Sequence, residues 1–219
     1  MIANSATQTA TLRSRLRDDT RKQHEAAEAR PVECAMAAGR LTVEQYTEVL
    51  AQRYLVHVQL ESLLDQLADK RPEVQPLTGD THKLAPIARA DLVRLGVDPD
   101  EVVALPATER TIAWLHSLAA AQPIALVGPH YVFEGSKNGA RFIRRGLIKA
   151  WGADYATRLS YLDPHGEEQP LLWKQFAQQL DQLGLSQADD DAIVQAAADM
   201  FDAIAAMDDE LAARFGLAK

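Results

Sequence analysis

Cysteine is nearly absent from this chain of 219 residues, in which Cys34 is the single example. One cysteine cannot form a disulfide within its own chain, and this usage fits a reducing compartment. Apolar runs are short as well, and none approaches the roughly 20 residues that a membrane-spanning helix requires. Residues 1–10 lack the apolar stretch of a signal peptide. The sequence therefore predicts a cytoplasmic protein that does not act in membranes.

Basic residues are in the minority, because 23 Lys and Arg stand against 31 Asp and Glu and give a formal net charge of −8. This negative excess disfavours nucleic acids and anionic membranes as general partners. Hydrophobic residues make up 47% of the chain, and a chain of this length can bury about 70% of its unfolded surface without disulfides or a structural metal. We predict one domain over residues 1–219, with residues 1–9 flexible.

Strand-like alternation and internal repeats are also missing, and helical spacing dominates the sequence. A first helix is predicted from Thr9 to Ala29, and it must end near Arg30 because Pro31 disfavours a helical conformation before it. The capping-box pattern Thr42-Val-Glu-Gln45 opens a long second helix that ends before Arg71. Further helices are predicted over 87–95, 108–121, both ends of 123–151, 169–183 and 189–215. The prediction is an all-α bundle.

One face of the first helix combines a histidine with charged residues. Arg17, Arg21, His24 and Glu28 are spaced three or four residues apart, so they lie on the same side of a helix. A neutral imidazole can bind a heme iron through one ring nitrogen, while an acid one turn later can orient the other. Two guanidiniums can bind carboxylates. The alternative is a solvated face with Glu–Arg pairs.

The second candidate segment runs from Tyr131 to Arg145 and contains Gly135 and Gly139 four residues apart. Two glycines within a helix cost roughly 2 kcal/mol of helix propensity relative to alanine. That loss is tolerable where a flat ligand must approach the backbone closely, or where two helices pack closely through small residues. The spacing of Gly-Ser-Lys does not match a phosphate-binding loop. The sequence leaves the ligand and the packing interpretations open.

The remaining histidines carry weaker signals. His57 and His116 are predicted at the edge of the core or on the surface, and His82 and His165 in surface loops. His130 follows Pro129 and precedes Gly135 by five residues, so it is a stronger candidate for a functional role than the other four. No Cys/His spacing indicates a zinc site.

Together the two segments resemble the biliverdin-producing heme oxygenases, and the bacterial branch most closely. Leu12–Glu28 is similar to that family's first helix with its proximal histidine, and Tyr131-Val-Phe-Glu-Gly-Ser-Lys-Asn-Gly-Ala140 is similar to the bacterial distal signature Tyr-Val-x-Glu-Gly-Ser-x-Leu-Gly-[Gly/Ala]. Weaker likenesses are Gly39–Tyr46, Tyr54, Trp173-Lys174-x-Phe176 and a last helix with Phe201. The resemblance covers nearly the whole chain.

The resemblance implies a helical bundle with heme between the first helix and a glycine-kinked distal helix. It makes His24 the iron ligand and Glu28 its hydrogen-bond partner. The residues that it implies for heme binding are Arg17, Arg21, Lys174, Tyr131 and Phe201. Those that it implies for catalysis are Gly135 and Gly139, with backbone over the heme, and Ser136, Asn138 and His130, near which water would donate protons.

Heme oxygenase activity is the first function that the resemblance implies, with conversion of heme, O₂ and reducing equivalents to biliverdin, CO and free iron. The expected partners are a ferredoxin or flavoprotein reductase as electron donor and a biliverdin acceptor such as a bacteriophytochrome. Two basic clusters could steer an acidic donor. They comprise Arg13, Arg15, Arg17, Arg21 and Lys22, and Arg141, Arg144, Arg145 and Lys149.

This sequence departs from the family signature at Asn138, where an apolar residue is usual, and at His130. These departures motivate an alternative, a non-catalytic heme carrier or sensor on the same fold, with His130 as a second axial ligand. In a third interpretation the glycines only pack helices and no heme binds.

Overall fold

Residues 10–217 are described by the computed structural model, so the prediction for residues 1–9 lies outside this range. Within it the chain forms nine α-helices and short 3₁₀ turns, with no strand. The helices are α1 (Leu12–Asp19), α2 (Arg21–Glu28), α3 (Pro31–Ala37), α4 (Val43–Lys70), α5 (Ala85–Arg94), α6 (Pro106–Ala121), α7 (Val127–Trp151), α8 (Gln169–Asp181) and α9 (Gln187–Phe215). The predicted all-α fold is confirmed.

Local sequence signals place most helix ends. The Thr42 side chain accepts a hydrogen bond from the Gln45 amide at 3.2 Å, and Gln45 Oε1 accepts from the Thr42 amide at 2.9 Å. This reciprocal capping box opens α4 as predicted. Ser186 caps α9 through the Asp189 amide, and Gly216 ends that helix in the left-handed region with φ +66°.

The first predicted helix is wrong in one respect, because it is two helices that meet at Thr20. The backbone of Thr20 leaves helical geometry at φ −99° and ψ 3°, and its buried hydroxyl donates to the Leu16 carbonyl at 2.5 Å. The same bond from a threonine hydroxyl occurs at Thr47 and Thr111 inside unbroken helices, so it accompanies the break at Thr20 and does not cause it. The break separates Arg17 on α1 from His24 on α2.

Helix α9 lies at the centre of the bundle, where it contacts α1, α2, α3, α6 and α7. Buried apolar side chains form two clusters. Leu16, Leu60 and Phe176 belong to the first, and Met36, Leu50 and Leu159 belong to the second. Within residues 10–217, no helix combines the length and the apolar character that a membrane crossing needs.

Close approach of α7 to its neighbours depends on two of its glycines. A Cβ on Gly128 would lie 2.7 Å from the Ala197 amide nitrogen of α9, and a Cβ on Gly146 would lie 3.1 Å from the Ala37 carbonyl oxygen of α3. The first distance leaves no room for a side chain, and the second would require the neighbouring backbone to move by a few tenths of an ångström. Helix packing through small residues therefore occurs at Gly128 and Gly146, and the helix runs through Gly135 and Gly139 without a break.

Candidate active site

A cavity of about 520 Å³ lies between α2 on one side and α7 on the other. Helices α1, α3, α4, α8 and α9 and the turn near Tyr161 complete its wall. Its lining includes most of the predicted site residues: Arg17, Arg21, His24, Glu28, Tyr131, Gly135, Ser136, Asn138, Gly139 and Phe201. The structure therefore brings together the two segments that the sequence singled out, although they are separated by about 110 positions.

His24 stands on the α2 wall with 49% of its side chain exposed. Its Nε2 lies 3.4 Å from Oε1 of Glu28, one helical turn further along. The ring packs edge-on against Phe201 of α9, with centroids 5.3 Å apart. One ring nitrogen thus faces a carboxylate that can fix the tautomer of an imidazole that lines the cavity.

Arginine side chains surround the open mouth of the cavity. Arg17 and Arg21 are 72% and 74% exposed, and Arg17 Nε lies 2.8 Å from Asp18 Oδ1. The hydrogen bond from Arg17 lowers the pKa of the Asp18 carboxyl, so the arginine is already paired in part. Lys174 is exposed on α8 and does not line the cavity, which leaves the propionate-binding role implied for it without structural support.

On the opposite wall, Gly135 and Gly139 have no packing role. A Cβ on Gly139 would meet nothing within 4 Å, and one on Gly135 would meet only the Trp173 ring, at 3.6 Å. The packing interpretation therefore holds for Gly128 and Gly146 and fails for this pair. At Gly135 and Gly139 the backbone of α7 is left uncovered toward the cavity, where a flat ligand can approach it.

Two polar residues of α7 also line the cavity, and each donates one hydrogen bond to the backbone of the helix itself. Ser136 Oγ donates to the Phe133 carbonyl at 2.8 Å, and Asn138 Nδ2 donates to the Gly135 carbonyl at 3.1 Å. Each side chain keeps an oxygen that can accept a hydrogen bond, so both can position water. Tyr131 is largely buried in the same wall, and burial raises the pKa of its phenol.

His130 does not line the cavity. It is buried, with Nε2 2.6 Å from the Leu77 carbonyl oxygen and its ring 5.3 Å from that of Phe176. Because a carbonyl oxygen only accepts, Nε2 carries the proton. The structure therefore does not support His130 as a second axial ligand or as a residue that acts directly in the cavity.

Behind α7, His130 joins a buried polar cluster that the sequence did not predict. Glu134 Oε1 lies 2.5 Å from Lys137 Nζ, and its Oε2 lies 3.1 Å from Nδ1 of His82. The surface location predicted for His82 is wrong, because its side chain is only 9% exposed against Glu134. The sequence signal for this buried cluster was the pair Glu134 and Lys137, three residues apart in an otherwise apolar part of a helix.

Ligand atoms of His82, His130 and Glu134 lie within 4.8 Å of one another, a combination that can hold a metal ion. Lys137, however, already neutralises the one carboxylate of this set. A divalent cation would add two positive charges beside a buried ammonium, which is costly. The cluster is therefore a buried Glu134–Lys137 ion pair flanked by two histidines.

Buried histidines make the stability of this protein dependent on pH. Burial lowers the pKa of His130 from 6.5 to about 4, and that of His57, which bonds the Tyr161 hydroxyl at 2.9 Å, to about 3. Burial alone would raise the pKa of Glu134, but its contact with His82 and the nearby positive charges lower it to about 2. At these three groups the folded state therefore binds fewer protons than the unfolded state below about pH 6.5.

We expect His130→Gln to weaken this pH dependence. Glutamine can still donate to the Leu77 carbonyl, but it does not titrate. His130 should account for about 2 kcal/mol of the stability that the wild type loses between about pH 7 and about pH 5. Urea unfolding at the two pH values measures the difference. Equal losses in wild type and variant would contradict the prediction.

At the buried end of the cavity, Glu33 of α3 and Arg53 of α4 line the wall, and Asp208 of α9 lies behind them. We call these three residues the closed-end triad. Arg53 Nη2 donates to Glu33 Oε1 and lies 3.5 Å from Asp208 Oδ1. Sequence reasoning missed the triad because its members come from three helices. The one available signal was Arg53 within the apolar stripe of α4.

Comparison with known proteins agrees with this geometry. A family model described as heme oxygenase matches residues 10–209. A heme oxygenase of Takifugu rubripes is 24% identical over 196 residues, which cover 87% of this chain and 70% of that protein. Heme oxygenase-1 of the cyanobacterium Synechocystis sp. PCC6803, solved in complex with heme, has a TM-score of 0.83 at 22% identity over 94% of this chain and 96% of that one. Heme oxygenase from Leptospira interrogans has a TM-score of 0.84 at 18% identity, over 92% and 100% of the two chains.

These structures define the class as the heme-oxygenase-like all-α fold. A TenA homologue from P. horikoshii shares the fold, with a TM-score of 0.69 at 14% identity, so the fold alone does not define an activity. The family match is more specific and extends over most of the sequence. The chain belongs to the heme oxygenase family.

Proposed function

We propose that this protein is a heme oxygenase that converts heme to biliverdin, CO and free iron. In the balanced reaction, ferric heme takes up three O₂, seven electrons and eight protons, and gives biliverdin, CO, Fe²⁺ and three waters. The observation that carries the proposal is the uncovered backbone of α7 at Gly135 and Gly139, which shares one cavity with the half-exposed imidazole of His24.

His24 would provide the axial nitrogen to the heme iron, on which O₂ is activated once heme is bound. Glu28, whose Oε1 lies 3.4 Å from Nε2 of His24, would hold the imidazole in one tautomer and raise its basicity as a ligand. Phe201 limits rotation of the ring, since it packs edge-on against His24. A neutral imidazole donates less electron density to iron than a thiolate does, which disfavours early O–O cleavage.

On the distal side, the missing side chains of Gly135 and Gly139 let α7 lie close over the bound ring. With heme bound, the backbone at these two glycines would limit the space above the ring that is open to O₂. Ser136 and Asn138 accept hydrogen bonds from water through their side-chain oxygens and hold that water for proton delivery. Arg17 and Arg21 at the mouth would bind the two propionates.

The electron donor is expected to be a ferredoxin or a flavoprotein reductase that docks near the mouth. Phe142 of α7 is 64% exposed, and the Arg145 guanidinium lies 5.7 Å from its ring centroid. An exposed aromatic residue beside arginines suits an acidic protein partner. A biliverdin acceptor such as a bacteriophytochrome is the partner proposed for the product.

Reconstitution with hemin tests the proposed function. With ferredoxin, its reductase and NADPH under air, we expect the Soret band to disappear and biliverdin and CO to form in equal amounts. A ferrous myoglobin trap measures CO, and chromatography identifies the biliverdin isomer. If the Soret band persists while a known heme oxygenase turns over under the same conditions, the proposal is wrong. One hemin per chain with no product would favour a heme carrier or sensor.

A further inference from the structure

The closed-end triad joins three helices inside the cavity wall. The side chains of Glu33, Arg53 and Asp208 are 17%, 16% and 2% exposed, so the triad is nearly withdrawn from bulk water. Both of the hydrogen bonds that Arg53 donates to carboxylates use Nη2. Arg53 also contacts the Tyr161 hydroxyl, and the other N–H donors of its fork lie in the cavity wall.

Stability alone does not account for the triad. Replacement of buried ion pairs by apolar residues of similar size is often neutral or stabilising, because burying charges is costly. The neighbouring wall residues Leu84, Ile143 and Leu162 are apolar. A guanidinium among them points to a ligand with hydrogen-bond acceptors at this end of the cavity.

The orientation of the ligand follows from the charges at the two ends. Arg17 and Arg21 are exposed at the mouth, and the triad contains two carboxylates against one cation. Burial raises the pKa of Asp208 against the attraction of Arg53, so the closed end is neutral or negative. The propionates of heme therefore belong at the mouth, and the opposite, hydrocarbon edge of the ring belongs at the closed end.

That edge acquires acceptors only through the reaction. Intact heme presents methyl and vinyl groups and a meso C–H there, and none of these accepts a hydrogen bond from a guanidinium. Ring opening at that meso carbon removes it as CO and leaves a carbonyl oxygen on each of the two flanking pyrrole rings. Both oxygens then face Arg53.

We propose that Arg53, held by Glu33 and Asp208, is a specificity-determining residue that donates hydrogen bonds to the oxygenated edge of biliverdin. Cleavage is thereby favoured at the meso carbon opposite the propionates, and the product binds more tightly than it would against an apolar wall. This inference rests on the proposed heme oxygenase function.

The test compares the affinities of hemin and biliverdin, measured by quenching of tryptophan fluorescence. The variant Glu33→Met/Arg53→Met/Asp208→Val removes all three charges together, so no unpaired ion stays buried. We expect its Kd for hemin to stay within about twofold of wild type and its Kd for biliverdin to rise about tenfold or more, since hydrogen bonds from a charged donor are lost. We also expect more than one biliverdin isomer from turnover.

Two single variants complete the comparison. Arg53→Lys keeps the charge but not the planar fork, so we expect an intermediate loss of biliverdin affinity and normal folding. Arg30→Met is the matched control, because Arg30 pairs with Asp209 of α9 at 3.3 Å without lining the cavity. Its affinities for hemin and biliverdin should equal those of wild type.

The role of Arg53 would be overturned if the charge-free variant kept the wild-type ratio of the two Kd values and formed a single biliverdin isomer. In that case an active wild type would still support the proposed function. A wild type that binds hemin but yields no biliverdin would overturn the proposed function itself. If the charge-free variant does not fold, an unchanged ratio in Arg53→Lys overturns the role of Arg53.

Discussion

His24→Ala should remove the axial ligand of the iron and leave the fold nearly unchanged. The side chain is half exposed in a helix, and alanine is the best helix former, so the free energy of unfolding should change by no more than about 0.5 kcal/mol. Hemin affinity should fall about tenfold or more, since loss of an outer-shell partner alone costs a metal site that much. The Soret band should shift, and biliverdin formation should stop.

Added imidazole separates a lost ligand from a damaged pocket. It can enter the space left by the side chain and bind the iron, so the wild-type spectrum should return with part of the activity. His116→Ala is the control, because His116 is an exposed helical histidine that bonds Gln59 at 3.0 Å and does not line the cavity. An unchanged Soret band in His24→Ala would reject the assignment of His24 as ligand.

Glycine substitutions in α7 should have opposite effects at two positions. Gly139→Ala should stabilise the protein by about 1 kcal/mol, because alanine favours the helix and its Cβ meets no atom within 4 Å. Gly128→Ala should destabilise it by about 1–3 kcal/mol, because the Cβ would lie 2.7 Å from the Ala197 amide nitrogen and force α7 away from α9. Guanidinium unfolding of the apoprotein measures both changes.

Hemin affinity should depend on these two positions in the opposite way, with a loss at Gly139 and no change at Gly128. Gly139→Leu fills the space over the ring, so we expect hemin affinity to fall about tenfold to hundredfold in a protein that is still folded. Gly128→Ala leaves the cavity lining intact, so its folded fraction should bind hemin as the wild type does. If Gly139→Leu bound hemin with wild-type affinity, the uncovered backbone of α7 would not be a ligand surface.

Much of the fold could be predicted because its signals are local. The Thr42–Gln45 capping box lies within one helical turn, and the face that joins His24 to Glu28 follows from the rise and pitch of a single helix. A proline fixes its own φ and restricts the residue before it, which is why the end of α2 before Pro31 was predictable. The break at Thr20 was not, because Thr47 and Thr111 make the same hydroxyl-to-carbonyl bond inside unbroken helices.

The candidate site was predictable only where a motif carried it. Spacing identified Gly135 and Gly139, but it gave no reason to separate them from Gly128 and Gly146. The atoms next to Gly128 and Gly146 lie on α9 and α3, whereas Gly135 and Gly139 face the cavity. Only these neighbours distinguish a glycine that allows close helix packing from one that faces a cavity.

The sequence by itself determined the helices, the His24 face and the spacing of the α7 glycines, because each depends on atoms a few residues apart. Tertiary structure alone decided that His130 turns to the Leu77 carbonyl, that Lys137 and Glu134 are buried, and that the closed-end triad forms. These outcomes depend on residues from different helices. Burial is set by what packs on each side chain, and distant parts of the chain supply those neighbours.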